Sequence, residues 1–503
     1  MSNFKQIFCE MYSFLLSFLA LIVGYFIYGK FVDKVFGPDP SRATPATYME
    51  DGVDYIPMPT WRVFMIQFLN IAGTGPIFGA IMGAKFGPSA YLWIVLGAIF
   101  AGGVHDYFSG MMSIRYHGAA FPRIVGHYLG KRAKTVLLVF SVILLLLVGT
   151  VFVYSPALIL GELAGDGSKA SIMMWVGIVF VYYILATLLP VDKIIGKIYP
   201  LFAFSLLFMA VALFVCLLVK WPTLPEFWDG LGNKGAEAGL SGMDSQSIFP
   251  CIFITIACGA LSGFHSTQSP IMARCLKNEK MGRPVFYGSM ITEGLVALIW
   301  AAVSSYFFFD GGAAEVGSDL NAAAPTVVNK LSRAWLGVAG GVLAILGVVA
   351  APITSGDTAF RSARIIIADF FEYSQKPRWN RLLIAIPIFA VTILLLWFNV
   401  SDANGFNIIW RYFGLANQTL AAFTLWTATV YLVKHNTKPY YLLSFIPAVF
   451  ITAVCVSYVS IDKIGFNLPA EWAGEIARIT AVTSIVLFYC LKHRIGTSSE
   501  LQK

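Results

Sequence analysis

Long apolar runs, each cut off by a short polar or charged stretch, set the rhythm of this chain. A helix that crosses a bilayer needs about 20 mostly apolar residues. Runs of that length are Met11–Val32, Thr60–Phe86, Ala90–Arg115, Ala133–Leu160, Ser171–Leu189 and Tyr199–Val219. They continue with Ile248–Cys275, Pro284–Phe309, Trp335–Ala351 with a polar extension to Phe371, Leu382–Phe398, Ile408–Val433, Tyr440–Val459 and Glu475–Leu491. The pattern predicts an all-α integral membrane protein of about thirteen spans. Pro222–Ser247 and Asp310–Ser332, rich in Gly, Ala and small polar residues, read as surface loops. Met11–Val32 is too long for a signal-peptide core and lacks a small-residue cleavage site, so it reads as a retained span.

Two of the runs violate their own pattern. In Ile248–Cys275, Gly259, Gly263 and Pro270 interrupt the helix, and Ser262, His265, Ser266, Thr267, Gln268 and Ser269 crowd polar groups into the interruption. In Thr60–Phe86, Asn70, Gly73, Thr74, Gly75 and Pro76 do the same. Irregular backbone at membrane depth survives only where protein or a water-filled cavity satisfies it. A pair of broken helices in matching positions is the sequence signature of a transporter binding site. Counting ten spans from Thr60 to Val433, the broken ones are the first and the sixth. An odd offset of five makes the two halves opposite in topology, which is the LeuT-like five-plus-five inverted repeat. The predicted organisation is an N-terminal helix and cytoplasmic loop over 1–59, a transporter core over 60–433, and two further helices with a cytoplasmic tail over 434–503. A twelve-helix carrier of two six-helix halves is the competing arrangement.

Composition agrees with a membrane protein. The 503 residues are 58% hydrophobic and 12% charged, with mean hydropathy +0.74, whereas soluble domains run to about a quarter charged. The net charge of +8 does not imply nucleic acid, because the basic residues sit in short loops between spans. Arg115–Lys134, Lys193–Lys197, Arg274–Arg283, Arg361–Arg381, and Lys434, Lys438, Lys492 and Arg494 alternate with acidic or neutral loops. The positive-inside rule puts these basic loops, and the C-terminus, in the cytoplasm. The seven cysteines are scattered without a CxxC pair and read as packing residues.

Several stretches are similar to the carbon starvation protein A family: DGVDYIPMP at 51–59, NIAGTGPIFGA at 70–80, GGVHDYFSGMMSIRYHG at 102–118, FPCIFITIACGALSGFH at 249–265, SGDTAFRSARIIIADF at 355–370 and FGLANQTLAAFTL at 413–425. The resemblance is ordered along most of the chain. It implies a bacterial inner-membrane transporter of the amino acid–polyamine–organocation superfamily, linked to peptide uptake and, in some members, to proton-coupled pyruvate uptake. Better-known members are longer. After the Gly-Phe-His element they carry a Ser-Ser-Gly-Thr-Thr-Pro-Lys type run, where this chain has Ser266 to Met272.

Ionisable residues within spans usually face a bundle interior or a pathway. His105 and Asp106 are such residues, with a proton site as the functional reading and a helix–helix hydrogen bond as the structural one. Neighbours on a helix point about 100° apart, so the two need not touch. His265 in the second interruption reads as a substrate or proton contact, or else as a partner for a freed carbonyl. Glu293 is a further buried carboxylate and proton-carrier candidate. The bare backbone at Gly73, Thr74 and Gly75, ahead of a half-helix beginning near Pro76, would favour a carboxylate ligand. Thr354, Ser355, Asp357 and Thr358 form a coupling-ion candidate, with Arg361 placed to pair with Asp357 four residues on. Asn417 and Gln418 read as interhelical ties.

The reading is a proton-coupled secondary transporter for a small carboxylate or short peptide, with Asn70, Gly73, Thr74, Gly75, Ser262, Gly263, His265, Ser266, Thr267 and Gln268 at the substrate and no cofactor. A sodium-coupled carrier is the alternative within the class. A metal-dependent membrane enzyme lacks HExxH or CxxC spacing, and a channel lacks repeated pore motifs.

Overall fold

The computed structural model describes residues 11–52, 54–164, 167–188, 191–240, 247–309, 315–317, 319–375, 377–402 and 405–497. Its frame is a set of long helices. Helix α1 (Tyr12–Phe36) ends at Gly37, which takes the left-handed conformation at φ 69°. It is followed by the first broken pair, α2 (Thr60–Ile71) and α3 (Gly75–Ala84), bent by 48°. Then come α4 (Ser89–Arg115), the short amphipathic α5 (Phe121–Leu129), α6 (Lys131–Ala164), α7 (Lys169–Leu188) and α8 (Val191–Lys220). The second broken pair is α9 (Ile248–Thr255) and α10 (His265–Ala273). Helices α11 (Gly288–Phe309), α12 (Ala324–Phe370), α13 (Arg378–Ser401), α14 (Gly405–His435), α15 (Leu442–Ile461) and α16 (Ala473–Thr497) complete the chain.

Each of the thirteen expected segments is helical, but the segments are not equally apolar. Among the described residues nine helices are long and apolar enough to cross a membrane, or ten with the bent pair α2–α3. The others, α9–α10, the C-terminal part of α12 and α14, are largely buried and trade apolar residues for polar ones. Asp357, Arg361, Asn417 and Gln418 are all buried on them. Lipid demands apolar surface only of the helices it touches, such as α16, whose apolar window is 6% buried.

Two boundaries differ from expectation. The segment 324–332 is not loop: α12 starts at Ala324, with a non-helical joint at Gly337 (φ 65°). Its small residues pack against neighbouring helices and so look loop-like in composition. Pro270 does not interrupt the second broken helix but sits inside α10. The interruption is Ile256–Phe264, and Ser266, Thr267, Gln268 and Ser269 lie in the helix after it.

The broken helices meet along a seam of glycines. A Cβ on Gly79 would stand 2.8 Å from the Thr255 carbonyl oxygen, and Gly75 and Gly83 face Cys258 and Ile256. Helix α3 therefore lies directly on the unwound part of the second pair, a closeness that side chains would forbid. Helix α11 packs on α3, α4 on α10, and α14 on α9 and α10, so that these elements enclose both interruptions.

Candidate functional site

The second interruption is held by side chains that replace lost helical hydrogen bonds. Asn417 Oδ1 on α14 accepts from the Phe264 N–H at 2.7 Å and from Ser262 Oγ at 3.1 Å. Gln418 Nε2 donates to the Phe253 and Leu261 carbonyls, both at 3.0 Å. Trp93 Nε1 donates to the Ile256 carbonyl at 2.9 Å. Gly259, at φ 89°, gives its N–H to Glu293 Oε1 at 3.2 Å. The interhelical ties expected of Asn417 and Gln418 are therefore ties to unwound backbone.

A continuous run of titratable groups starts from Glu293. Its Oε2 is 3.4 Å from His265 Nε2. On the other side of the ring, Nδ1 is 2.8 Å from Asp106 Oδ2. The second oxygen of that carboxylate is 2.7 Å from His105 Nδ1. All four side chains are fully buried. The neighbours His105 and Asp106, which helix geometry does not oblige to touch, do so here: one aspartate oxygen reaches back to the adjacent ring while the other reaches forward to α10. With Asp106 ionised, both imidazoles present Nδ1–H to it. The Nε2–Oε2 pair of His265 and Glu293 then needs one proton, carried either by the ring or by the acid. Among the described residues His105 Nε2 has no hydrogen-bond partner, and His265 Nε2 and Glu293 Oε2 face only each other, at 3.4 Å and without a formed hydrogen bond.

The start of α3 abuts this run. A Cβ on Gly259 would lie 3.6 Å from Pro76, so the first turn of α3 touches the residue that Glu293 holds. The amides of a helix's first turn have no intrahelical acceptor. Nearby in sequence, Asn70 and Thr74 are fully buried with unpartnered polar atoms, Asn70 with both its oxygen and its nitrogen. Gln67, one turn before Asn70, is likewise buried with neither amide atom partnered. Sequence reading passed over Gln67, although an amide three residues from Asn70 within an apolar run was a usable signal.

Other expected site residues point back at the protein. Ser266 Oγ donates to the Gly263 carbonyl at 2.7 Å and Thr267 Oγ1 to the Phe264 carbonyl at 2.7 Å. Gln268 Nε2 reaches Thr267 and, at 3.3 Å, Ser362 on α12. Gly263 serves as contact surface, since a Cβ there would collide with α14 at Asn417 and Ala421. Gly73 lies within the first interruption, its N–H on the Ile71 carbonyl at 3.0 Å.

The coupling-ion candidates form a separate buried cluster. Tyr199 Oη donates to Asp357 Oδ2 at 2.7 Å, and Arg361 Nη2 lies 3.9 Å from Asp357 Oδ1 and donates to the Ala186 carbonyl at 2.8 Å. Thr354 and Thr358 hydroxyls bond carbonyls of their own helix. Ser355 Oγ donates to the Leu69 carbonyl at 2.9 Å, which ties α12 to the last turn of α2. Tyr199 was not legible as a partner, being separated from Asp357 by 158 residues.

Comparison with known proteins gives a consistent outcome. The family described as Carbon starvation protein CstA matches residues 10–164, 162–338 and 336–458. An "Uncharacterized membrane protein" of Haemophilus influenzae is 49% identical over 329 residues, covering 57% of this chain and 89% of that one. "Peptide transporter CstA" of Campylobacter jejuni is 28% identical, covering 92% of this chain and 81% of that one. "Peptide transporter CstA" of Bacillus subtilis is 26% identical over 94% of each. Among solved structures, a manganese transporter of Eremococcus coleocola shares the fold with TM-score 0.56 at 12% identity, over 89% of this chain and 99% of that one. With matches running from residue 10 to 458, this chain belongs to the carbon starvation protein CstA family and is a multi-pass membrane transporter.

Proposed function

We propose that this transporter is a secondary active carrier of the bacterial inner membrane that moves short peptides, or a small carboxylate such as pyruvate, together with protons. The arrangement we infer is the LeuT-like five-plus-five repeat over 60–433, with 1–59 and 434–503 as flanking regions and the C-terminus cytoplasmic. The observation that supports it most is the buried His105–Asp106–His265–Glu293 run at the second interruption. Charge at membrane depth is costly and is retained where it works.

The proposed chemistry follows from the proton the run requires. A proton resting between His265 and Glu293 can shift toward either. While the proton is held, the run carries one net negative charge, and a carboxylate near the first turns of α3 and α10 meets the least repulsion and the positive helix ends. When it leaves, Asp106 and Glu293 repel the same ligand. Binding and protonation are thereby linked. Asn70, Thr74 and the backbone of Gly73 and Gly75 would receive the polar remainder of the substrate. Names of relatives favour peptides as the cargo.

The test is uptake of labelled dipeptide and of labelled pyruvate into proteoliposomes carrying the full chain. Uptake of one of them should follow an inward proton gradient, collapse with a protonophore, and persist without sodium. In His265→Gln, which keeps hydrogen bonding but cannot become cationic, uptake should lose its pH dependence. Strict sodium dependence with no response to the proton gradient would overturn the proton reading and shift attention to Thr354, Ser355 and Thr358.

A further inference from the structure

Helix α14 bears Asn417 and Gln418 on the face toward the second interruption. Another of its faces, Leu415, Thr419, Phe423, Trp426, Val430 and Lys434, lines two membrane-facing grooves that share Phe423 and Trp426. Leu415 to Lys434 rises about 28 Å at 1.5 Å per residue, close to the roughly 30 Å of a bilayer's hydrocarbon core. The grooves differ in one respect. The one toward Leu415, about 410 Å³, has no charged residue in its lining. The one toward Lys434, about 590 Å³, has apolar walls from Trp426, Leu487, Phe488 and Leu491 and a cation at its end.

That cation is available. Lys434 Nζ lies 5.6 Å above the Tyr128 ring and has no carboxylate partner among the described residues. It is joined by His435 and by His127 on α5. Burial, then the charges of Lys434 and His435, push the His127 imidazole below its ordinary value. Helix α5, amphipathic and followed by Lys131 and Arg132, forms one wall through Tyr128 and Leu129. Trp426 spends its indole N–H on Thr452 Oγ1 at 3.0 Å, so its ring faces the groove as apolar surface.

We propose that this groove between α5, α14 and α16 is a binding site for one anionic phospholipid of the cytoplasmic leaflet. The phosphate-bearing head would sit at Lys434 over Tyr128, with an acyl chain along Trp426, Phe423 and Leu487. A basic group at a leaflet boundary above an apolar cleft matches the two ends of such a lipid, and the groove with no charge matches only its tail. Each basic residue near a headgroup is worth about fivefold in preference for an anionic lipid. A lipid seated here also presses on the helix that holds the second interruption in place.

The test uses the full chain in nanodiscs with acyl-brominated lipids, which quench tryptophans they touch. Brominated phosphatidylglycerol should quench more than brominated phosphatidylcholine at equal mole fraction, the excess vanishing in Trp426→Phe. In Lys434→Gln the excess should fall about fivefold, with quenching by phosphatidylcholine unchanged. Equal quenching by the two lipids in the unaltered chain would overturn the proposal, reducing the groove to annular contact. So would a Trp426 signal blocked by a second copy of the chain, detected as disulfide-linked dimers of Leu487→Cys.

Discussion

The two broken helices solve one problem in different ways. The interruption after α9 is long, from Ile256 to Phe264, and its freed backbone is bonded by Asn417, Gln418, Trp93 and Glu293. The interruption after α2 is short, from Ala72 to Thr74, and the polar side chains beside it, Gln67, Asn70 and Thr74, are buried with polar atoms that have no hydrogen-bond partner among the described residues. Unmade hydrogen bonds of buried groups are expensive, so proteins rarely keep them without a use. The contrast is one of degree. The freed backbone of the second break is bonded by side chains, although His105 Nε2, His265 Nε2 and Glu293 Oε2 beside it are unpartnered among the described residues. At the first break whole amide groups are unpartnered, which suits our proposal that it receives the polar part of the substrate.

The most damaging way to break this contrast is to unlatch the second site. Asp106→Ala leaves two buried imidazoles without their shared acceptor. It should destabilise the chain by about 3–5 kcal/mol, read as a lower thermal transition in detergent. An unchanged transition would mean the run is not a structural unit. Asn417→Ala acts on the same latch with less force. It strands the Phe264 N–H and should cost about 1–3 kcal/mol. An unchanged transition in Asn417→Ala would deny the hydrogen bond its role. The smallest stability effect belongs to the first site. Gln67→Leu should leave the thermal transition unchanged or raise it, because no described residue bonds that amide. The same variant should weaken substrate affinity roughly tenfold to a hundredfold, corresponding to about 1.5–3 kcal/mol for a bond to a charged ligand. A destabilised Gln67→Leu with normal affinity would reverse the assignment of the two regions.

Much of this was readable from the chain. Spans announce themselves by length and hydropathy, and both interruptions by Gly and Pro within apolar runs. The half-helix beginning near Pro76 was visible because Pro suits a first helical turn. What could not be read was pairing across distance. His265 and Asp106 are 159 residues apart, and no local pattern says that α4 and α10 share a carboxylate. Nor does sequence tell a polar residue awaiting a ligand from one already satisfied. Ser266 and Thr267 looked like ligand donors but bond the carbonyls of the break. Gln67 looked like nothing and carries both amide atoms unpartnered. The proline error at Pro270 has the same root: a Pro within a helix breaks it only when neighbours do not absorb the missing bond.

The glycine seam between α3 and the second break has a mechanical meaning. Interlocked helices resist sliding because ridges of side chains must climb out of grooves. Along Gly75, Gly79 and Gly83 there are no ridges on the α3 side. The other side supplies them: the Cys258 and Ile256 side chains sit in the notches over Gly75 and Gly83, so α3 is keyed to the unwound segment and shifts along it only if those side chains move. The opposite flank of that segment is bolted to α14 through Asn417 and Gln418. The unwound segment is thereby gripped on both flanks, and a rocking motion of the core would carry α3, the unwound segment and α14 together as one block.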